Sequence, residues 1–301
     1  MTSSLRIPAL VDLLRTDSPE LIDALAANDR LERRFDDTGP LFNRILARRI
    51  RRILQVNGAP LPPVAPRDSP GRAARQAELE AALAPAPGLL PCDEAQLEGL
   101  TAYVLGRSAP QAPGPLVQEV VGRLFVPDFR GTAETWEAAR LLDAAVRSLN
   151  PLRQLIWLLT GRVERARRLL AERVAGDPAA VHSIGIAVHN LVRSFERMRE
   201  LAAGPDTVRR LSTEAAVTLC LAAPDSVLRQ AVAPGVTTAG SFRRGTIVLL
   251  RLEAARARSL RRDVAFMTGS WSRCPAHRWV PALLTTIWDR VAAARRVEGS
   301  T

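Results

Sequence analysis

The sequence predicts a mainly α fold with a small β hairpin near the C-terminus. Apolar residues recur at helical spacing along most of the 301 residues. Only residues 235–252 combine β-branched side chains with a turn sequence, Gly-Ser-Phe-Arg-Arg-Gly. Hydrophobic residues make up 47% of the chain and charged residues 24%, which is the composition of a folded domain with enough apolar material for a core.

The predicted helices follow one another along the chain. Asp17-Ser18-Pro19-Glu20 is a helix-start signal, and an amphipathic segment over residues 40–58 ends at Gly58. A proline-rich connection follows over residues 59–72. Further helical spacing covers residues 73–84, 94–106, 114–125, 133–147, 150–175, 177–203 and 207–222. We therefore divide the chain into an N-terminal helical arm (1–58), the connection (59–72) and a helical domain (73–301).

The amphipathic segment carries a row of arginines opposite its apolar stripe. Such a helix either packs its stripe on a core or contacts anionic lipid or an acidic partner. Packing is the commoner arrangement, and peripheral membrane contact through residues 40–56 is the functional alternative.

The formal net charge is +11 and the isoelectric point about 11.2. All 42 basic residues are arginines, spread along the whole chain, and there are only one tyrosine and seven phenylalanines. Because base stacking needs aromatic side chains near a concentrated basic patch, we expect no binding to nucleic acid.

The three cysteines, Cys92, Cys220 and Cys274, form neither a disulfide framework nor a C-x-x-C metal motif. Free thiols are typical of a reducing compartment. The N-terminus lacks a signal-peptide pattern, and no apolar run reaches the roughly 18 residues of a membrane span. These features predict a cytoplasmic protein.

Two places could carry chemistry. In the apolar segment 178–198, His182 and His189 are seven residues apart, which puts them about 20° apart on one helical face, with Asn190 beside them. Buried side chains of this kind need partners, either within the core or in a ligand. The second place is Cys274, which precedes Pro275 and a helix. A helix N-terminus favours the thiolate, although packing alone also explains a single cysteine.

Read in order, these stretches resemble the C-terminal half of the cytochrome P-450 (heme-thiolate) family. The family's heme loop has Phe and Gly ahead of a Cys that Pro often follows, and here the order is Phe266, Gly269, Arg273, Cys274 and Pro275, with the loop one residue longer. Gly-Thr-x-Val in residues 245–248 resembles a family strand. Ala187 and His189 match the family's central helix, which crosses the heme.

The resemblance implies a heme b cofactor with Cys274 as its axial ligand. Arg229 falls on the arginine that commonly bonds a heme propionate. Trp271 and Ser272 stand where the family often has another propionate partner, so Arg273 is the candidate there. The resemblance also implies loop roles for Phe266 and Gly269.

Two family features are missing. The Glu-x-x-Arg pair falls at Val217 and Cys220, and the acid–alcohol pair that delivers protons to bound dioxygen falls at Asn190 and Leu191. Allene oxide synthases and the isomerase domains of fungal diol synthases are similar in carrying an Asn on this helix. An amide can hold hydroperoxide oxygens by hydrogen bonds. His189 could then assist as an acid.

We therefore expect a heme-thiolate enzyme with isomerase or peroxygenase chemistry. Its substrate would be an apolar, fatty-acid-like molecule such as a lipid hydroperoxide, or a partner enzyme would supply peroxide. A reductase-fed monooxygenase is one alternative. The other is a heme-free helical protein that binds a partner or a membrane.

Overall fold

A computed structural model describes residues 2–84, 90, 92–107, 113–148, 150–204, 208, 210–238 and 240–298. Most of this part of the chain is helical, and its strands form one five-stranded sheet and two two-stranded pairs. The predicted mainly α fold is confirmed.

The first helices are α1 (Pro19–Ala27), α2 (Leu41–Ile53), α3 (Arg72–Ala82), α4 (Glu94–Val104), α5 (Gly114–Arg123), α6 (Ala133–Arg147), α7 (Pro151–Thr160) and α8 (Arg162–Arg173). They are followed by α9 (Pro178–His182), a π turn (Ser183–Ala187), α10 (Val188–Ala202), α11 (Thr213–Cys220), α12 (Leu252–Ser259), α13 (Arg262–Phe266) and α14 (Trp279–Glu298). Two short 3₁₀ turns cover Pro62–Val64 and Pro275–His277.

Local sequence signals set several helix ends. Ser18 caps α1 by accepting a hydrogen bond from the Leu21 amide, and Asp177 caps α9 by accepting from Ala179 and Ala180. Gly161 adopts a left-handed conformation with φ of 60°. The single helix predicted over 150–175 is therefore two helices, α7 and α8.

The sheet joins the beginning of the chain to its C-terminal third. Its strands are β1 (Thr2–Ile7), β2 (Val11–Thr16), β3 (Leu31–Glu32), β6 (Val227–Ala231) and β9 (Ile247–Leu250), in the order β1-β2-β9-β6-β3. β2 runs parallel to β9, whereas the other neighbours are antiparallel. The segment 1–58, predicted as a helical arm, thus contains three strands beside α1 and α2.

These early strands lack the alternation that marks a strand in a sequence. All six residues of β1 are exposed, and β2 buries the charged Asp12 among its apolar residues. Asp12 is stabilised there by Arg6, Arg243 and Thr246. Period-2 patterning therefore could not reveal either strand.

The predicted C-terminal hairpin is present as β7 (Gly235–Thr237) and β8 (Gly240–Phe242), which pair antiparallel. Its predicted turn is wrong, because Gly240–Phe242, the first half of the Gly-Ser-Phe-Arg-Arg-Gly sequence, form β8. β9, which the same prediction included, pairs instead with β2 and β6. A further short pair, β4 (Gln55–Val56) and β5 (Ala59–Pro60), follows α2.

The core surrounds α10 and α14. Phe195 of α10 and Trp279 and Trp288 of α14 are among the largest fully buried side chains. α9, the π turn and α10 form one continuous helical element that also packs against α6 and α8. Among the described helices, none is both long enough and apolar enough to cross a membrane.

Candidate functional site

Cys274 lies in a loop that its own backbone holds in place. α13 ends at Phe266, after which Met267 turns the chain with φ of 52°. The Cys274 amide donates to the Phe266 carbonyl at 2.8 Å, and His277 Nδ1 lies 3.1 Å from the Cys274 carbonyl oxygen. The 3₁₀ turn and α14 follow directly. The loop thus fixes the cysteine at the start of a helical segment, as the sequence predicted.

The Cys274 side chain is partly buried and packs against the core. Burial raises the pKa of its thiol, while a hydrogen bond from the Ala276 amide and the charge of Arg33 lower it. The residue nevertheless keeps accessible surface.

Three arginines surround the Trp271 ring beside this cysteine. The guanidinium carbons of Arg72, Arg33 and Arg229 lie 4.7, 5.4 and 5.5 Å from the ring centroid. Arg33 follows β3, Arg229 lies on β6 and Arg72 begins α3. We call Arg33, Arg72 and Arg229 the arginine cluster. Three separate parts of the chain therefore bring positive charge to the Cys274 loop.

The arginine cluster is held by neutral oxygens. Arg229 donates to Ser272 Oγ at 2.5 Å, Arg33 to the carbonyls of Pro62 and Ser272, and Arg72 to the carbonyl of Ala65. Within the described residues, no carboxylate lies within 4 Å of these three side chains. The buried Nε atoms of Arg33 and Arg229 have no hydrogen-bond partner.

Burial lowers the pKa of all three arginines more than the charge of Glu32 raises it. Burial first, and then the charge of Arg72, lowers the pKa of Arg229 to about 9. Burial and its two arginine neighbours likewise hold the pKa of Arg33 well below its usual range. Because these three arginines share the charge of Glu32, the cluster keeps a net positive charge and has the electrostatics of a site for an anionic group.

The site residues predicted from the sequence lie in different environments in the structure. Arg229 is fully buried within the arginine cluster. Arg273, the other candidate, is exposed and bonds both carboxylate oxygens of Glu80 on α3. Phe266 belongs to the core, and Gly269 is exposed with no atom within 4 Å of where a Cβ would stand. Only Arg229 and Cys274 of this set meet at the site.

Sequence reasoning missed Arg33 and Arg72. Both lie far from the Cys274 loop in sequence, and each is one of 42 arginines. Arg33 stands next to a strand of only two residues, which no pattern marks. Nothing in their local sequences distinguishes them from surface arginines.

The π turn changes which residues share a face of the central helix. Within 178–202 it inserts one extra residue, which moves the residues after it by about 100° around the axis. Asn190, and not His189, then lies about 20° from His182. The prediction that His182 and His189 share a face is corrected, because it assumed unbroken α-helical spacing.

His182 lies close to the site. Burial, together with the charge of Arg33, lowers the pKa of His182 to about 4, so the ring is neutral at pH 7. Its buried Nδ1 has no hydrogen-bond partner, although the residue keeps accessible surface. The charge of Arg33 acts on both Cys274 and His182, which places His182 near the Cys274 loop.

His189 faces α6. Its ring stacks on Trp136 with centroids 4.7 Å apart and bonds the carbonyl of Ala139. Burial lowers its pKa, the nearby Asp143 opposing this effect, and the ring is therefore mostly neutral at pH 7. This environment does not support the acid role expected for His189.

Asn190 borders a polar group formed with the turn that follows α11. Its Oδ1 accepts from Arg193 Nη2 at 2.7 Å, and Arg193 also bonds Asp225 and the Ala223 carbonyl. The Asn190 amide NH2 makes no hydrogen bond within the described residues. Leu191, in contrast, is buried in the core.

A Glu-x-x-Arg pair exists on a different helix. Val217 and Cys220 of α11, where the family has the pair, are fully buried core residues. On α12, Glu253 accepts from Arg256 at 2.7 Å, from Arg197 at 2.9 Å and from the Ala223 amide at 2.7 Å. Burial raises the Glu253 pKa, but these donors outweigh it and the pKa is lowered. This ion-pair group ties α10, α11 and α12 together.

Comparison with known proteins finds similarity in three-dimensional structure but not in sequence. No protein-family model matches the chain. No curated protein sequence matches it either.

Solved structures of cytochrome P450 enzymes do match. Retinoic acid-bound cyanobacterial CYP120A1 has a TM-score of 0.59 at 12% identity, covering 97% of this chain and 84% of its own. P450 RauA, complexed with a biosynthetic intermediate of aurachin RE, has 0.57 at 9%, covering 94% and 84%. CxnD, a P450 for C–S bond formation in chuangxinmycin biosynthesis, has 0.57 at 14%, covering 94% and 79%. The chain has a divergent P450-like fold.

Proposed function

We propose that this protein binds heme b through the Cys274 thiolate and is an oxidoreductase for an apolar small molecule. The observation that carries the proposal is the arginine cluster: three arginines with no carboxylate in hydrogen-bond contact within the described residues, gathered around Trp271 beside Cys274. A heme offers this site an iron for the sulfur and two propionates for the arginines. The Cys274 sulfur and the arginine cluster are therefore chemically suited to hold heme.

Binding would resolve the unfavourable electrostatics of the site. A buried neutral thiol resists ionisation, but a metal ion takes the place of the proton and stabilises the thiolate. The Ala276 amide already donates to the sulfur and would continue to do so. The orphaned Nε atoms of Arg33 and Arg229 would gain acceptors in the carboxylates.

When bound, heme supplies an iron that can cleave an O–O bond. The chain's own residues would decide which oxygen donor reaches it. Position 191 is a buried leucine and position 190 an amide, so neither can pass protons to bound dioxygen. These residues favour a hydroperoxide or peroxide, in which the O–O bond already exists.

Asn190 is the residue we assign to that substrate. The π turn aligns it with His182, whose side chain lies near Arg33. Its Oδ1 is fixed by Arg193, which leaves the NH2 group to donate to a peroxide oxygen. Ile186, about one turn earlier and only partly buried, offers apolar contact to an acyl chain. A lipid hydroperoxide is the substrate class that these features favour.

Heme titration tests the cofactor. Wild-type protein should bind one heme per chain with quenching of tryptophan fluorescence, since Trp271 adjoins the site. Cys274→Ser should lose thiolate ligation, whereas Cys92→Ser, which changes a cysteine elsewhere, should titrate like the wild type. Equal titration and equal spectra for all three proteins would refute the assignment.

Substrate consumption tests the oxygen donor. Heme-loaded protein should consume a linoleic acid hydroperoxide without NAD(P)H or a reductase. Asn190→Leu should slow this roughly tenfold at unchanged heme content, because one hydrogen bond to the reacting group is lost. His189→Gln, which alters the neighbouring residue facing α6, should retain activity. Turnover that requires NAD(P)H and redox partners would instead identify a monooxygenase.

A further inference from the structure

The outer face of α7 is apolar. Leu152, Leu155, Ile156 and Leu159 are 70, 50, 56 and 77% exposed, and their spacing places them on one side of the helix. We call these four residues the leucine face. A surface helix normally turns this stripe toward the core. Here the stripe is turned outward, so it does not hold α7 in place.

The opposite side of α7 fastens the helix to the protein. Trp157 is 5% exposed and belongs to the core. Gln154 donates to the carbonyls of Ala145 and Ser148, and Asn150 caps the first turn by accepting from Leu152 and Arg153. The leucine face is therefore presented by an anchored helix.

Exposed arginines lie on α7 itself and on α8, which follows α7 in the chain and packs against it. They are Arg153, whose guanidinium lies 4.7 Å from the Trp157 ring centroid, and Arg162, Arg165 and Arg168 on α8. Within the described residues, none of these four, the basic rim, has a carboxylate within 4 Å. Glu164, which lies among them, is paired with Arg167. The charge of Arg168 also acts on Glu164, but the four arginines leave the basic rim with an excess of positive charge for an external anion.

The charge of the rim identifies the occupant. A second copy of the chain would bring arginines against arginines in a protein of net charge +11. An anionic lipid surface satisfies both features, because acyl chains take up the leucines while headgroup phosphates face the arginines. α7 is 10 residues long, too short to span a bilayer, so it would lie in the interface.

We propose that α7 docks this protein on an anionic membrane surface, with the leucine face in the acyl boundary and the basic rim at the headgroups. The contact differs from the one predicted for residues 40–56. On α2, Arg48 and Arg51 are already paired with Asp37, and Asn43, Ala47 and Ile50 are buried. The proposal is independent of heme binding.

Vesicle flotation with the full chain tests this docking. Wild-type protein should float with phosphatidylglycerol vesicles at low salt and bind phosphatidylcholine vesicles at least tenfold more weakly. The double variant Leu155→Gln/Leu159→Gln should lose at least tenfold in affinity. Val236→Gln, which changes an 82% exposed apolar residue on β7, should bind like the wild type.

A second variant separates the charge from the apolar face. Arg162→Gln/Arg165→Gln should weaken binding by roughly fivefold per arginine at low salt and lose this effect at high salt. Circular dichroism melts would confirm that all variants are folded. Wild-type protein that stays off phosphatidylglycerol, or a leucine-face variant that binds unchanged, would overturn the proposal. A dimer in sedimentation that Leu155→Gln/Leu159→Gln dissolves would show that a second copy covers α7.

Discussion

Arg229 is fully buried on β6 and donates a hydrogen bond to Ser272 Oγ, two residues before Cys274. A strand from one part of the fold thus delivers a buried positive charge to the loop that carries the thiol. Arg33, which follows β3, adds a second positive charge and donates to the Ser272 carbonyl. This relationship predicts that the arginine cluster destabilises the empty site and stabilises an anion within it.

Replacing arginines of the cluster should therefore weaken heme binding but should not destabilise the heme-free protein. Arg33→Gln and Arg229→Gln should each weaken heme binding about tenfold, because one charge-assisted contact to a carboxylate is lost. Without heme, the same variants should unfold at the same or a higher urea concentration, since a buried like-charge repulsion is removed. Heme titration and urea unfolding of each variant provide the two measurements.

Arg273→Gln is the matched control, since Arg273 neighbours Cys274 but pairs with Glu80 on the surface. It should leave heme affinity unchanged. If Arg273→Gln lost heme while Arg33→Gln kept it, the propionate contacts would lie on the other side of the loop.

His182 should make stability depend on acid pH. Its pKa is about 4 in the folded protein and 6.5 in the reference state, so the folded state resists protonation. The stabilising contribution is complete above pH 6.5 and is lost as pH falls toward 4. The loss should reach about 3 kcal/mol. His182→Leu should flatten this part of the pH curve of unfolding free energy, measured by urea titration in matched preparations. Parallel curves for the two proteins would show that the ring titrates normally.

The Glu253 group should be essential to the stability of the fold. Glu253→Gln leaves Arg256 and Arg197 without their carboxylate and should lower the unfolding free energy by about 3 kcal/mol. Glu137→Gln, which breaks an exposed pair with Arg140, should change it by no more than about 0.5 kcal/mol. Urea unfolding checks both. Equal losses of unfolding free energy for the two substitutions would show that the Glu253 group stabilises the fold no more than an exposed ion pair does.

Most helices were predictable from the sequence because each carries its own apolar period and end signals. α1 and α6, for example, begin at residues whose side chains cap them. β1, β2 and β3 were not predictable, since their faces are not patterned and the partners that hold β2 and β3 in the sheet, β9 and β6, lie about 200 residues or more away in the chain. Long-range pairing leaves no local signal.

The candidate site likewise contains residues that the sequence revealed and residues that only the structure revealed. Cys274 and Arg229 were found by the order of motifs around them. Arg33 and Arg72 reach the site only through folding, and the π turn that puts Asn190 in the place expected for His189 has no signal in the sequence that we used. The Glu-x-x-Arg spacing of residues 253–256 was visible in the sequence, but on a helix where the family resemblance did not place it.

The absorption spectrum of the reduced protein under carbon monoxide tests most directly whether Cys274 ligates heme. Wild-type protein and Cys92→Ser should both show a Soret maximum in the position of a thiolate-ligated heme. Cys274→Ser should lose that maximum. A colourless wild-type protein after heme addition, or a Cys274→Ser spectrum identical to the wild type, would contradict the proposed function.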